Sequence, residues 1–168
     1  MSSQEGFIGL GSNLGEPVAQ ISLALRRLGE SAITVERVSS LYRTEPVEAP
    51  PQPWFTNAVA RVKSPFEPPV LLSICQDIER RQGRGRKGCH APRPIDLDLL
   101  MAGDTPVEGS HLILPHPRLH QRRFVLVPLM EIAPHWIHPR LGLSVEELLE
   151  RCLDESVVMR LSASPHPL

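Results

Sequence analysis

Apolar positions along the chain recur with two different periods, and the changes of period mark its elements. Phe7-Ile8-Gly9-Leu10-Gly11 predicts a short buried strand, and Ser12-Asn13-Leu14-Gly15 is turn chemistry. Pro17 suits the first turn of a helix, in which Val18, Ile21, Leu25 and Leu28 make one apolar face and Gly29 supplies a C-terminal stop. Residues 33–43 are rich in β-branched side chains and predict a long strand whose alternation slips near Ser39-Ser40, where a bulge fits. A proline-rich loop covers 44–53, and 55–62 alternates as another strand. Pro68 and Pro69 open a second helix with Leu71, Ile74 and Ile78 inward, closed by Gln82-Gly83.

The second half continues the pattern. Residues 84–94 form a basic loop with glycines. Ile95, Leu97, Leu99 and Met101 then alternate with Asp96 and Asp98, a strand with a clean period of two. Residues 111–115 read as a short extended piece, and 122–132 as a helix interrupted by Pro128. Residues 145–152 predict a last helix, and 157–161 a short strand. The order β, α, β, β, α, β followed by additions predicts a ferredoxin-like α+β sandwich, a mainly antiparallel sheet with helices packed on it. One domain is expected over 1–161, with 162–168 a mobile tail.

Composition narrows the class. The 168 residues are 41% hydrophobic and 22% charged with a net charge of −1, the profile of a soluble globular protein without general affinity for nucleic acid or membrane. The longest apolar runs, such as 125–130, are too short to span a bilayer, and the N-terminus carries no secretory pattern. Three cysteines at wide spacing, with no CxxC pair, fit a reducing compartment rather than a disulfide framework or a structural zinc site. A cytoplasmic monomer is expected. Aromatic residues are only 4%, which disfavours an RNA-binding module with stacking side chains on an open sheet.

Against that background a few residues stand out as chemistry. Asp96 and Asp98, at i and i+2 on a strand, point the same way with Cα atoms roughly 6–7 Å apart. Like charges so close repel, and a divalent cation resolves the repulsion with hard oxygen ligands. On its own such a pair is more often an exposed strand face matched by arginines. The neighbours change the balance: Arg80, Arg81, Arg84, Arg86, Lys87 and Arg93 are six of the chain's 18 basic residues, with no acid among them. Arginines grip phosphate oxygens in pairs, so a basic loop feeding a carboxylate strand is what polyphosphate transfer requires. His116, held in Leu114-Pro115-His116-Pro117 and followed by Arg118, Arg122 and Arg123, offers a second phosphate-facing cluster. Asn57 shares a strand side with Phe55; an amide and an aromatic suit the edge and face of a heterocycle, with Phe124 a second stacking candidate. Spacing alone favours a core phenylalanine and a ladder-edge asparagine there. Gln76 and Glu79 sit at the rim of the second helix's apolar face.

These segments resemble one family. Phe-Ile-Gly-Leu-Gly-Ser-Asn-Leu-Gly at 7–15, Phe-Thr-Asn-Ala-Val at 55–59, Gly-Arg-Gly-Arg-Lys at 83–87, Pro-Arg-Pro-Ile-Asp-Leu-Asp-Leu-Leu at 92–100 and Leu-Pro-His-Pro-Arg-Leu at 114–119 are similar, in order, to 6-hydroxymethyl-7,8-dihydropterin pyrophosphokinases. The resemblance implies transfer of the β,γ-diphosphate of ATP to the hydroxymethyl oxygen of the pterin, with release of AMP. It implies two magnesium ions on Asp96 and Asp98, catalytic arginines at Arg84 and Arg93, and ATP-side positions at Gln76, Glu79, Arg86, Lys87, His116 and Arg122. A pterin pocket is implied at Thr44, Val47, Phe55, Asn57 and Phe124, the two aromatics sandwiching the ring. The chain departs from the family pattern at Glu45, where many members have proline, and at Cys89-His90-Ala91, where some carry a tryptophan. An ordinary kinase would release ADP instead.

Overall fold

The computed structural model describes residues 2–85 and 90–163; Arg86, Lys87 and most of the expected tail lie outside them. Five strands form a continuous path through one sheet. In spatial order they are β5 (Asp96–Ala102), β1 (Gln4–Ser12), β4 (Phe55–Ser64), β3 (Tyr42–Thr44) and β8 (Val158–Arg160), with β2 (Thr34–Val38) also paired to β4. Every pairing is antiparallel. A two-stranded ribbon joins β6 (Val107–Glu108) to β7 (Ile113–Leu114).

Register divides the sheet into two faces. Ile8 and Leu10 of β1 lie beside Ala60 and Ala58 of β4 and beside Leu99 and Leu97 of β5. This apolar face is covered by α1 (Pro17–Glu30) and α2 (Pro68–Arg81) through Ile21, Leu25, Leu28, Leu71 and Ile78, all fully buried. The opposite face carries Gly9, Gly11, Asp96, Asp98, Asn57 and Val59, and α3 (Arg123–Ile132) packs over part of it. The ferredoxin-like α+β sandwich expected from the element order is the observed architecture.

Several local expectations are corrected. The helix α1 runs through Gly29 to Glu30, and the left-handed stop is Ala32 at φ 64. There Ala32 N donates to Gly29 O at 3.2 Å and Ile33 N to Leu28 O at 3.2 Å, a paired C-cap that the buried Ile33 closes with an apolar contact. Val18 is exposed and Ile74 only half-buried; Ala24 and Cys75 take the inward places. The long strand expected over 33–43 is two strands. Ser39 separates them, its N donating to Val59 O and its Oγ accepting from Val59 N, both at 2.9 Å, so a side chain replaces one rung of the ladder.

On β5 the alternation holds through Leu99 and then breaks. A register shift inserts Leu100 as an extra residue and pairs Met101 with Phe7, on the other face. The helix α3 is not interrupted: it continues through Pro128, losing one backbone bond, because Val125, Leu126, Leu129 and Ile132 bury its apolar side. The last helix, α4 (Val145–Glu150), is shorter than expected and begins in a capping box between Ser144 and Glu147. Among the described residues no helix is long and apolar enough to cross a membrane.

Candidate active site

A cleft of about 380 Å³ opens on the sheet face opposite α1 and α2. Its floor is low because the central strand presents glycines there. Gly11 pairs with Asp96 on one side and Asn57 on the other, and Gly9 pairs with Asp98 and Val59. All of these residues line the cleft. A Cβ on Gly11 would overlap Asn57 Oδ1, so glycine is required for the Asn57 amide to lie where it does.

Asp96 and Asp98 point into the cleft, held by the buried Leu97 and Leu99 on the far side of the strand. Their side chains are about a fifth to a quarter exposed, 21% and 24%, open enough for a ligand yet walled by protein. Each faces an arginine. Arg84 NH1 is 3.4 Å from Asp96 Oδ1, and Arg122 NH1 is 4.0 Å from Asp98 Oδ2. Burial lowers the Arg122 guanidinium below its ordinary value, and the neighbouring Asp98 opposes that shift.

Arg84 reaches the site through a turn. α2 ends at Arg81, Gly83 takes a left-handed φ of 86, and Arg84 N donates back to Glu79 O at 2.9 Å. Arg84 Nε then lies 2.9 Å from Glu79 Oε2, with both side chains about 5% exposed or less. Glu79 is thus buried behind Arg84 and does not line the cleft; Gln76, half-buried on α2, does not line it either. Both are positions that the resemblance implies on the ATP side.

Three loops meet at the rim through Asn13. Its Oδ1 accepts from Arg93 N at 2.8 Å, and its Nδ2 donates to Gln52 Oε1 and Pro53 O, each at 2.9 Å. Gln52 Nε2 in turn donates to His90 O at 2.7 Å. Arg93 is aimed by this knot, and its guanidinium stands 5.1 Å over the Phe55 ring. The Arg122 guanidinium stands 5.5 Å over the Phe124 ring. Asn57 Nδ2 donates to Thr44 Oγ1 at 2.7 Å, fixing the amide between Gly11 and β3. His116 is set by its own backbone, whose N donates to Leu100 O at 2.8 Å, and by Arg118 N donating to His116 Nδ1 at 3.1 Å.

The cleft therefore gathers Thr44, Val47, Phe55, Asn57 and Phe124 with Arg84, Arg93, Asp96, Asp98, His116 and Arg122. It also includes Arg118 and residues given no role from sequence: Gly9, Gly11, Glu45, Glu48 and Gln121. Arg118 was visible as one of the basic residues after His116. Glu48, whose Oε2 lies 3.4 Å from Arg118 NH1 across the cleft mouth, carried no sequence signal.

Known proteins share this chain's pattern. The sequence model of the 7,8-dihydro-6-hydroxymethylpterin-pyrophosphokinase (HPPK) family matches residues 7–134. A 2-amino-4-hydroxy-6-hydroxymethyldihydropteridine pyrophosphokinase of Synechocystis sp. is 41% identical over 145 residues, covering 86% of this chain and 74% of that protein. The protein of the same name from Haemophilus influenzae is 36% identical over 153 residues, covering 90% and 95%. A solved Plasmodium falciparum HPPK-DHPS, wild type with SDX-DHP, superposes with a TM-score of 0.73 over 89% of this chain. At 14% identity it speaks for the fold alone, and this chain spans 44% of that longer one.

Proposed function

This chain belongs to the 7,8-dihydro-6-hydroxymethylpterin-pyrophosphokinase family, and from that premise we propose how its cleft divides the work. The reaction moves the β,γ-diphosphate of ATP to the hydroxymethyl oxygen of 6-hydroxymethyl-7,8-dihydropterin in folate synthesis, leaving AMP. Both substrates are small molecules.

Asp96 and Asp98 would hold magnesium, two ions by the family's pattern. The fit rests on donor chemistry: two carboxylates on one strand face, both open to the cleft. Among the described residues no third His, Cys, Asp or Glu joins them in a metal-binding group. Two protein oxygens and the rest from phosphate and water is how magnesium commonly sits on nucleotide enzymes. Bound there, magnesium would neutralise phosphate charge and acidify the attacking hydroxyl.

The arginines do the remaining electrostatic work. Arg84, braced by Glu79, and Arg93, aimed by Asn13, present fixed cations to the group in transfer. His116 and Arg122 serve the phosphates from the other wall; Arg86 and Lys87 extend the basic lining in the family pattern but fall outside the described residues. Asn57 reads the pterin edge, Thr44 and Val47 border it, and Phe55 and Phe124 take its faces. Such transfer needs little covalent help from protein, so positioning and charge carry it.

The observation that carries this division is the register of β5 against β1. It puts both acids on the same floor as Gly9, Gly11 and Asn57, between the arginines and the aromatics. The test is turnover of ATP and the pterin alcohol with magnesium. AMP and the pterin diphosphate should form, and Asp96→Ala and Asp98→Ala should each lose at least about a hundredfold in kcat while Tm holds. Ordinary rates in both variants would remove the metal role.

A further inference from the structure

Residues 154–161 run outside the cleft, beyond the end of the family match at residue 134. They touch both of its walls. α3, which brings Phe124 and Val125 to the cleft, has no capping side chain at its own N-cap, Arg122. Its first amide is met from far along the chain, Arg123 N donating to Asp154 Oδ2 at 2.9 Å. The other carboxylate oxygen, Asp154 Oδ1, accepts from Ser156 N at 2.9 Å and turns the chain toward β8. Burial pushes the Asp154 carboxyl up, but the hydrogen bonds from Ser156 and Arg123 hold it below its ordinary value, as an ionised cap requires.

The same segment then binds the opposite wall. Val157 N donates to Glu45 Oε1 at 2.7 Å, and Glu45 N donates to Val157 O at 3.2 Å. A proline at this place would have neither a carboxylate nor an N–H to give. Beyond it, β8 pairs with β3 through Thr44 and Val158, Arg43 and Met159, and Tyr42 and Arg160.

We propose that Asp154 and Glu45 are positioning residues for the pterin. They lash the 154–161 segment across the outside of the cleft and so hold Phe124 and Arg122 at a fixed distance from Thr44 and Asn57. This rests on the reading of that half of the cleft as the pterin pocket. The physical reason is rigidity. A flat ring is gripped only if both walls are already in place, and a fraying first turn of α3 would leave the binding form a fraction of the population. Neither carboxylate touches substrate in this account. The two ties share one strap, so their effects couple.

The experiment is steady-state kinetics on the full chain, with KM for ATP and for the pterin separated from kcat, for Asp154→Ala, Asp154→Asn, Glu45→Ala and the Asp154→Ala/Glu45→Ala pair. Asp154→Ala should raise the pterin KM about fivefold, the factor to which a lost cap of about 1 kcal/mol corresponds. KM for ATP should stay within about twofold. Asparagine keeps only one of the two acceptor oxygens, so it should restore part of the loss and no more. Glu45→Ala should act in the same direction, and the pair should lose less than the product of the singles. If Asp154→Ala does not fold, Glu45→Ala carries the test alone, since it removes only a rim carboxylate. An unchanged pterin KM, or equal losses for both substrates, would overturn the inference while leaving the pyrophosphokinase reading intact. No turnover by the unaltered chain would overturn that reading and this inference together.

Discussion

Glu79 is the most informative residue to change, because it never reaches the cleft. Its carboxylate lies 2.9 Å from Arg84 Nε with both side chains about 5% exposed or less. At an effective dielectric of about 20, a pair at 2.9 Å attracts by about 6 kcal/mol before the loss of hydration is counted. Desolvation offsets most of that, leaving a net value of about 2 kcal/mol for the ion pair. Glu79→Gln keeps the shape and removes the charge. For a chain of this length, about 2 kcal/mol corresponds to a Tm lower by about 4–8 °C. Activity should fall as well. Arg84 NH1 also lies 3.4 Å from Asp96 Oδ1, so a guanidinium released by Glu79 should shift toward this proposed metal ligand and away from its proposed phosphate-facing place. A displacement of about 1 Å can cost up to about a hundredfold in rate. Calorimetry and ATP turnover on Glu79→Gln, Arg84→Gln and the double variant measure both effects. The cycle should show a coupling of at least about 1 kcal/mol. A Tm indistinguishable from the parent's, together with additive losses in the cycle, would refute the bracing role.

Tyr42 is the only tyrosine, so phenolate absorbance reads it directly. Burial, then the bond from its hydroxyl to Glu131 Oε1 at 2.9 Å, push its pKa from 10.0 up to about 12. The folded value exceeds the unfolded one, so the stability this contact gives is whole below pH 10 and is lost as pH rises toward about 12. Glu131→Gln should lower the midpoint without returning it to the ordinary value, since burial remains; a parent midpoint at 10.0 in the folded protein would contradict the contact. Gly11→Ala places a methyl against Asn57 Oδ1 and should turn the amide out of its bond to Thr44. Overpacking of this kind costs about 1–3 kcal/mol. Pterin affinity should drop at least tenfold by titration calorimetry, while ATP-analogue affinity changes little; equal losses for both ligands would point to general disruption.

The sequence was legible where a short-range pattern carried the meaning. Asp96 and Asp98 could be placed on one face because Leu97 and Leu99 fix the other, and a strand has only two faces. The helices α1 and α2 followed from apolar spacing and from prolines at their starts. Where two signals competed, the local one lost. Gly29 looked like a stop, yet Ala32 ends the helix because Ile33 can then bury against it. Pro128 looked like a break, yet the buried side of α3 outweighs one missing bond.

What the sequence alone determined about this protein is the kind of chemistry and the order of its parts: acids on a strand, arginines before it, an amide and one aromatic ahead of both, and a second aromatic after them. What only the tertiary structure decided is which of those groups face the same space. Glu79 went behind Arg84, while Glu48 came to the mouth. Asp154 reached α3 across 31 positions of chain, and Glu45 met Val157 across 112. Contacts of that range depend on how sheet and helices pack, and packing energy belongs to surfaces brought together by the whole fold rather than to any run of neighbouring residues.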